Sequence, residues 1–138
     1  MRAHFKGQEL ARAGRYPEAL ERYLWAYDHG RHNTYVGARS SFLLGDIVEL
    51  GRRYPPAIAA LEARRKIYAD NLLLGLSNDE DAWDVASLDM YLGRREDTVA
   101  LCIELEKRGF MTEELRKSLR TLDELWEKHM GKGNRKQE

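Results

Sequence analysis

The sequence predicts an all-α protein. Apolar residues recur at intervals of three and four, and no stretch alternates strictly between apolar and polar side chains, so strands are not favoured. The three prolines, Pro17, Pro55 and Pro56, stand where helices begin, a few residues after Gly14 and Gly51, which can end the preceding helices. A pair of small residues also repeats at a fixed spacing along the chain, which is typical of stacked helical hairpins.

Seven helices are predicted by this pattern. Their ranges are 2–13, 17–29, 34–51, 55–70, 79–92, 96–108 and 113–129. Residues 71–78 leave two alternatives open, an extension of the fourth helix or a loop that folds back. No domain boundary is evident, so residues 1–130 are expected to form a single domain and residues 131–138 a disordered tail.

The composition excludes several classes of protein. The chain has 138 residues, with 23 Lys and Arg against 23 Asp and Glu, so its zero net charge provides no overall attraction for nucleic acid or a membrane surface. A single cysteine, Cys102, excludes an internal disulfide framework. The longest apolar run, within 72–76, is too short to span a bilayer, and the first residues lack the apolar core of a secretion signal. We therefore expect a cytoplasmic protein without membrane or nucleic-acid partners.

The repeated pair consists of one small residue in the first helix of each hairpin and a small or short one in the second helix, twelve residues later. The pairs are Gly7 with Ala19, Gly45 with Ala57, and Ala86 with Thr98. The step between successive pairs is 38 and then 41 residues. Because two helices approach closely only where a side chain at the crossing is small, this spacing predicts three tight antiparallel hairpins.

At residues 14–26, and again at 44–61, these hairpins resemble the tetratricopeptide repeat family, in its bacterial form, with a weaker match at 86–105. The resemblance implies a right-handed α-α superhelix of three hairpins (2–29, 34–70 and 79–108) closed by a capping helix at 113–129. Lys6, Arg64 and Thr98 depart from the family pattern, since a leucine or a small residue is usual there. An unrelated helical bundle with short hairpins is the alternative.

The resemblance implies a non-catalytic scaffold that binds a peptide or protein segment in a concave groove lined by the first helix of each hairpin. The expected groove residues are His4, Gln8, Arg39, Phe42, Asp46, Glu49, Trp83, Ser87, Met90 and Tyr91. The aromatic members are equally explained by packing between repeats. Lysines and asparagines that clamp a carboxylate tail in some members are absent from these positions, so that mode of binding is not expected.

A second hypothesis is a regulatory or sensor domain that binds a small ligand or nucleic acid along a basic edge. The arginines at the hairpin turns would form that edge: Arg15, Arg52, Arg53, Arg94 and Arg95. Arginines near helix ends also offset the helix dipole while remaining solvated, which is the simpler interpretation.

The sequence offers few residues for metal binding or catalysis. Asp28, His29 and His32 form the one candidate metal cluster, but two histidines without a cysteine are more typical of a solvated loop. No nucleotide-binding or catalytic motif occurs, so we predict no cofactor and no enzymatic activity. The last predicted helix carries an apolar stripe, which would support a homodimer if it is wider than the neighbouring hairpin can cover.

Overall fold

The computed structural model describes residues 2–30, 42–76 and 79–126. Every regular element in these ranges is a helix, and no strand occurs in them, so the all-α prediction is confirmed for this part of the chain. The helices are α1 (Arg2–Arg12), α2 (Tyr16–His29), α3 (Leu44–Gly51), α4 (Pro56–Leu73), α5 (Asp79–Leu92), α6 (Arg95–Arg108) and α7 (Glu113–Trp126).

The predicted boundaries of α1, α2, α5 and α6 agree with the structure to within one residue. At the uncertain stretch, α4 continues to Leu73 and the chain then turns at Gly75, whose φ is +74°, so residues 71–76 are part helix and part turn. The predicted start of the third helix at residue 34, the end of the seventh at residue 129 and the tail at 131–138 lie outside the described residues.

Glycine ends α1 as its position predicts. Gly14 has a φ of +77°, its N–H donates to the Ala11 carbonyl at 3.0 Å, and the Arg15 N–H donates to the Leu10 carbonyl at 2.9 Å. This left-handed helix cap reverses the chain, and Pro17 then lies in the first turn of α2. The Thr112 hydroxyl caps the start of α7 by accepting the Leu115 N–H at 3.1 Å.

The chain divides into two compact units, Met1–Arg64 and Arg65–Glu138, with the boundary inside α4. In the first unit α1 packs against α2, and α2 packs against α3. The largest buried side chains of this unit include Tyr27, Leu44, Ile47 and Leu61.

In the second unit α5 packs against both α6 and α7. Between residues 81 and 89 of α5, every side chain except Trp83 is buried, including the acidic Asp81, Asp84 and Asp89. The single domain expected over residues 1–130 stays a prediction. Among the helices in the described ranges, none has both the length and the apolar character that crossing a membrane would demand.

Candidate functional site

Three of the predicted groove residues form one polar cluster in the first unit. His4 of α1 is buried, and its Nε2–H donates to Oδ2 of Asp46 on α3 at 2.6 Å. Gln8, one turn further along α1, donates from Nε2 to the same Oδ2 at 2.9 Å. We call His4, Gln8 and Asp46 the α1–α3 cluster. It joins the two helices that the sequence assigns to the first positions of successive hairpins.

The absence of a side chain at Gly7 allows the aromatic ring beside this cluster to lie close to α1. A Cβ atom at Gly7 would lie 2.6 Å from Cδ1 and Cε1 of Tyr23, a residue of α2. The Tyr23 ring meets the His4 ring edge-on, with centroids 5.9 Å apart and an interplanar angle of 74°. Burial raises the pKa of Tyr23 to about 12, and the Asp46 carboxylate adds to this rise while Arg12 opposes it.

The α1–α3 cluster presents a carboxylate at the protein surface. Both hydrogen bonds reach Oδ2, and the Asp46 side chain keeps 34% of its surface exposed. Phe42, one helical turn earlier in the chain, is 76% exposed. Glu49 is also exposed and pairs with Arg52 at 3.2 Å. Phe42 and Asp46 are four residues apart, a spacing that brings side chains together on one face of a helix. A carboxylate held in place on that face can receive an N–H group while the aromatic ring covers an apolar side chain.

Side chains at equivalent positions of the first two predicted hairpins meet in this unit. Gln8 and Asp46 are separated by 38 residues, which equals the step between the first two small-residue pairs. The rings of Tyr16 and Tyr54 are also 38 residues apart in sequence, and their centroids lie 6.4 Å apart. Such pairing of equivalent positions is typical of repeats that stack side by side.

The second helices of the same two hairpins are joined by an ion pair. Arg64 of α4 donates from Nε and Nη2 to the two carboxylate oxygens of Asp28 on α2, at 2.8 and 2.7 Å. Arg64 stands where the resemblance predicts a small residue, and its bidentate contact with Asp28 joins α4 to α2.

The remaining predicted groove residues are not part of the α1–α3 cluster. Arg39 lies outside the described residues. On α5, in the second unit, Ser87 is fully buried and its hydroxyl donates to the Trp83 carbonyl at 2.8 Å, a position inside the protein. Trp83, Met90 and Tyr91 are half-buried, and burial raises the pKa of Tyr91.

The arginines of the predicted basic edge differ in their surroundings. Arg15 forms a two-bond ion pair with Glu18, in which Nε lies 2.8 Å from Oε1, and Arg52 pairs with Glu49. Arg53 is exposed, whereas Arg94 and Arg95 are half-buried. In each of these two ion pairs the partners are three positions apart in the sequence, so Arg15 and Arg52 each have a structural partner nearby in the chain.

The candidate metal cluster has other contacts in the structure. Asp28 is held by Arg64, and the His29 ring stacks on Trp25 with centroids 4.1 Å apart. His29 Nδ1–H also donates to the Trp25 carbonyl at 2.8 Å, while His32 lies outside the described residues. The described ranges contain no group of three potential ligands placed to hold a metal ion.

The sequence does not predict the polar network that the buried Asp89 forms in the second unit. Asp89 of α5 accepts Nε and Nη2 of Arg65 at 2.9 and 3.0 Å, and the Thr98 hydroxyl of α6 at 2.7 Å. Arg65 Nη2 also donates to the Asp97 carbonyl at 3.3 Å. The available signal was Thr98 itself, at a position where the predicted repeat has a small residue, because a hydroxyl at a close helix crossing needs an acceptor.

Comparisons with protein-family models, with curated proteins and with solved structures found no match to this chain.

Proposed function

We propose that this chain is a non-catalytic interaction scaffold of the tetratricopeptide repeat type. In this proposal the surface formed by the α1–α3 cluster and Phe42 binds a peptide segment of a partner protein. The observation that carries the proposal is the pairing of equivalent residues, Gln8 with Asp46 and Tyr16 with Tyr54, one repeat step apart. The first helices of successive hairpins then form a shared wall, which is the surface that such repeats use for binding.

The second unit supports the repeat type independently. Thr98, the last member of the third small-residue pair, bonds to α5, the helix that carries Ala86. The same helix packs against α7, the predicted capping helix. A capping helix that lies beside the first helix of the last hairpin is expected for a closed stack of hairpins.

The chemistry of the surface defines the peptide. Asp46 offers a carboxylate that His4 and Gln8 hold in one orientation, which lowers the entropy lost when it binds a donor. Phe42 offers an exposed aromatic face. The peptide that fits carries a lysine or arginine beside an apolar side chain, because the cation pairs with Asp46 and the apolar group covers Phe42.

A random peptide display screen tests this function. The wild type is expected to enrich peptides with a basic residue next to an apolar one. Asp46→Asn is expected to lose the basic preference and Phe42→Ala the apolar one, whereas Glu106→Gln, which removes an exposed carboxylate on α6 in the second unit, is the matched control. Unchanged enrichment in both Asp46→Asn and Phe42→Ala would remove this surface from the proposal.

A homodimer through the C-terminal helix stays a prediction with one supporting observation. A groove of about 520 Å³ lies beside α6 and α7, lined mainly by apolar side chains such as Val99, Ile103 and Met111. Val99 and Ile103 are exposed. Light scattering of the wild type and of Ile103→Lys tests the dimer. The wild type should have the mass of a dimer, and the substitution should lower the measured mass.

A further inference from the structure

A second surface of the first unit combines an exposed indole with three cationic side chains. A cavity of about 480 Å³ is lined by Arg2, Ala3, Lys6, Glu21, Arg22 and Trp25. Lys6 and Gln8 are two residues apart on α1, and successive residues of a helix turn by about 100°, so this cavity and the α1–α3 cluster lie on opposite sides of the helix. The cavity is therefore a different surface from the one proposed for peptides.

The Trp25 ring is held in position before any ligand binds. His29 stacks on it with an interplanar angle of 12°, and the hydrogen bond from His29 Nδ1–H to the Trp25 carbonyl fixes the imidazole. The imidazole covers one face of the indole, yet 56% of Trp25 remains exposed. A fixed, exposed aromatic ring is a stacking platform, since little side-chain entropy is lost when a planar group packs on it.

The charges around this platform favour an anion. Arg2, Lys6 and Arg22 are exposed and carry three positive charges, against one negative charge on Glu21. Lys6 lies 3.7 Å from Glu9, an exposed pair that water screens strongly. The zero net charge of the whole chain does not bear on this cavity, because a ligand in contact with these groups experiences the local field.

We propose that this cavity binds a nucleotide unit, with the base stacked on Trp25 and the phosphate held by Arg2, Lys6 and Arg22. The volume lies within the usual range for small-molecule sites, about 300–1,000 Å³. Guanidinium groups bind phosphate through paired N–H donors, and an aromatic face accepts any base. An acidic peptide would satisfy the cations but offers the indole a planar group only where it carries an aromatic side chain, whereas every nucleotide carries one. The nucleotide is either free or part of a single strand.

The test is fluorescence anisotropy with a labelled single-stranded RNA of about twelve nucleotides, a length in the range of known single-strand sites. Competition with adenosine monophosphate distinguishes the two sources. Displacement at comparable concentration indicates a free nucleotide, and much tighter binding of the RNA indicates a strand. Either result supports the site, provided that the variants below respond.

Trp25→Ala is expected to weaken binding of the RNA by about ten-fold, the loss of one stacked base. The double variant Lys6→Gln, Arg22→Gln is expected to weaken binding and to reduce its salt dependence by the equivalent of about two phosphate contacts. Lys107→Gln with Lys117→Gln, an equal loss of exposed positive charge on α6 and α7, is the matched control and should change affinity less than about two-fold. Circular dichroism establishes that each variant is folded.

Four results would overturn the proposal. They are no binding of either probe by the wild type, unchanged affinity in Trp25→Ala, an equal loss in the Lys107 and Lys117 control, and tighter binding of an acidic peptide than of either nucleotide probe. None of these outcomes bears on the peptide surface at Asp46, so the two proposals fail separately.

Discussion

The Gln8 amide donates to the Asp46 carboxylate at 2.9 Å, and the two residues are 38 residues apart, the same separation as between Gly7 and Gly45. The same carboxylate oxygen accepts Nε2–H of the buried His4. One acidic side chain therefore satisfies donors on two turns of α1 and joins α1 to α3. Its loss would leave the buried imidazole without this acceptor, which makes the α1–α3 cluster a stabilising feature as well as a candidate binding surface.

Replacing Asp46 with alanine is expected to lower the free energy of unfolding by about 1 to 2 kcal/mol, because His4 and Gln8 both lose an acceptor in a partly buried site. Urea denaturation measures this change. The control is Glu49→Ala, which removes an exposed carboxylate three residues along the same helix and should change stability by less than about 0.5 kcal/mol. Equal effects of the two substitutions would contradict a stabilising role for the cluster.

Replacing Gly7 with alanine is expected to destabilise the protein by about 1 to 2 kcal/mol. The new Cβ would lie 2.6 Å from the buried Tyr23 ring, which cannot move without disturbing the core. The overpacking cost of about 1 to 3 kcal/mol exceeds the gain of up to about 1 kcal/mol that alanine brings to a helix. Thermal and urea unfolding measure the balance.

Gly51 provides the matched comparison. A Cβ there would lie 2.5 Å from Cδ1 and Cγ1 of Ile58. Moving Cγ1 requires a change of χ1 in a β-branched residue, at a cost of about 1 kcal/mol, but Ile58 is half-buried and can shift toward solvent, and alanine returns up to about 1 kcal/mol to the helix. Gly51→Ala should therefore change stability by less than about 1 kcal/mol. A larger loss in Gly51→Ala than in Gly7→Ala would show that the close approach at Tyr23 is not the deciding contact.

Much of the local structure could be predicted because its signals lie in adjacent residues. Gly14 followed by Pro17 predicted the turn between α1 and α2, and the structure has a positive φ at that glycine. The twelve-residue spacing between Gly7 and Ala19 predicted a close approach of their helices, and Gly7 does contact α2, although it does so through Tyr23.

The polar partners could not be predicted in the same way. Arg64 and Arg65 are adjacent and chemically identical, yet the first pairs with Asp28 and the second with Asp89. The choice depends on the direction in which each side chain leaves α4 and on which carboxylate another helix brings there, and neither is encoded in nearby residues. For the same reason the burial of Ser87 was not foreseen, because a small hydroxyl is compatible with a surface or with the interior.

Replacing Asp89 with alanine is expected to lower the free energy of unfolding by about 2 to 3 kcal/mol, since Arg65 and Thr98 both lose their acceptor inside the protein. Asp89 is 1% exposed, whereas Arg65 retains some contact with water, so water can solvate part of its guanidinium group once the carboxylate is removed. Thr98→Val, which keeps the shape but removes the hydroxyl, should cost about 1 kcal/mol. Chemical denaturation measures both.

A double-mutant cycle isolates the ion pair from its packing. Arg65→Met combined with Asp89→Leu should destabilise the protein by less than the sum of the two single substitutions. Each single substitution leaves one unpaired charge in the protein, whereas the double substitution removes both charges. Strictly additive losses would mean that Arg65 and Asp89 do not stabilise the second unit through each other.

Stability should fall as the pH rises from about 10 to about 12, and Tyr23 should account for part of the fall. Its pKa is about 12 in the folded protein against 10.0 for an unperturbed tyrosine, chiefly because burial disfavours the phenolate. Between these values the folded state keeps a proton that the unfolded state has lost, so unfolding becomes more favourable with each step in pH. The contribution is fully present below pH 10 and is lost by about pH 12, and it amounts to roughly 2 to 3 kcal/mol. Urea denaturation of the wild type and of Tyr23→Phe across this range measures it, with a shallower decline expected in the variant. Parallel declines would mean that Tyr23 ionises in the folded protein as readily as in the unfolded chain.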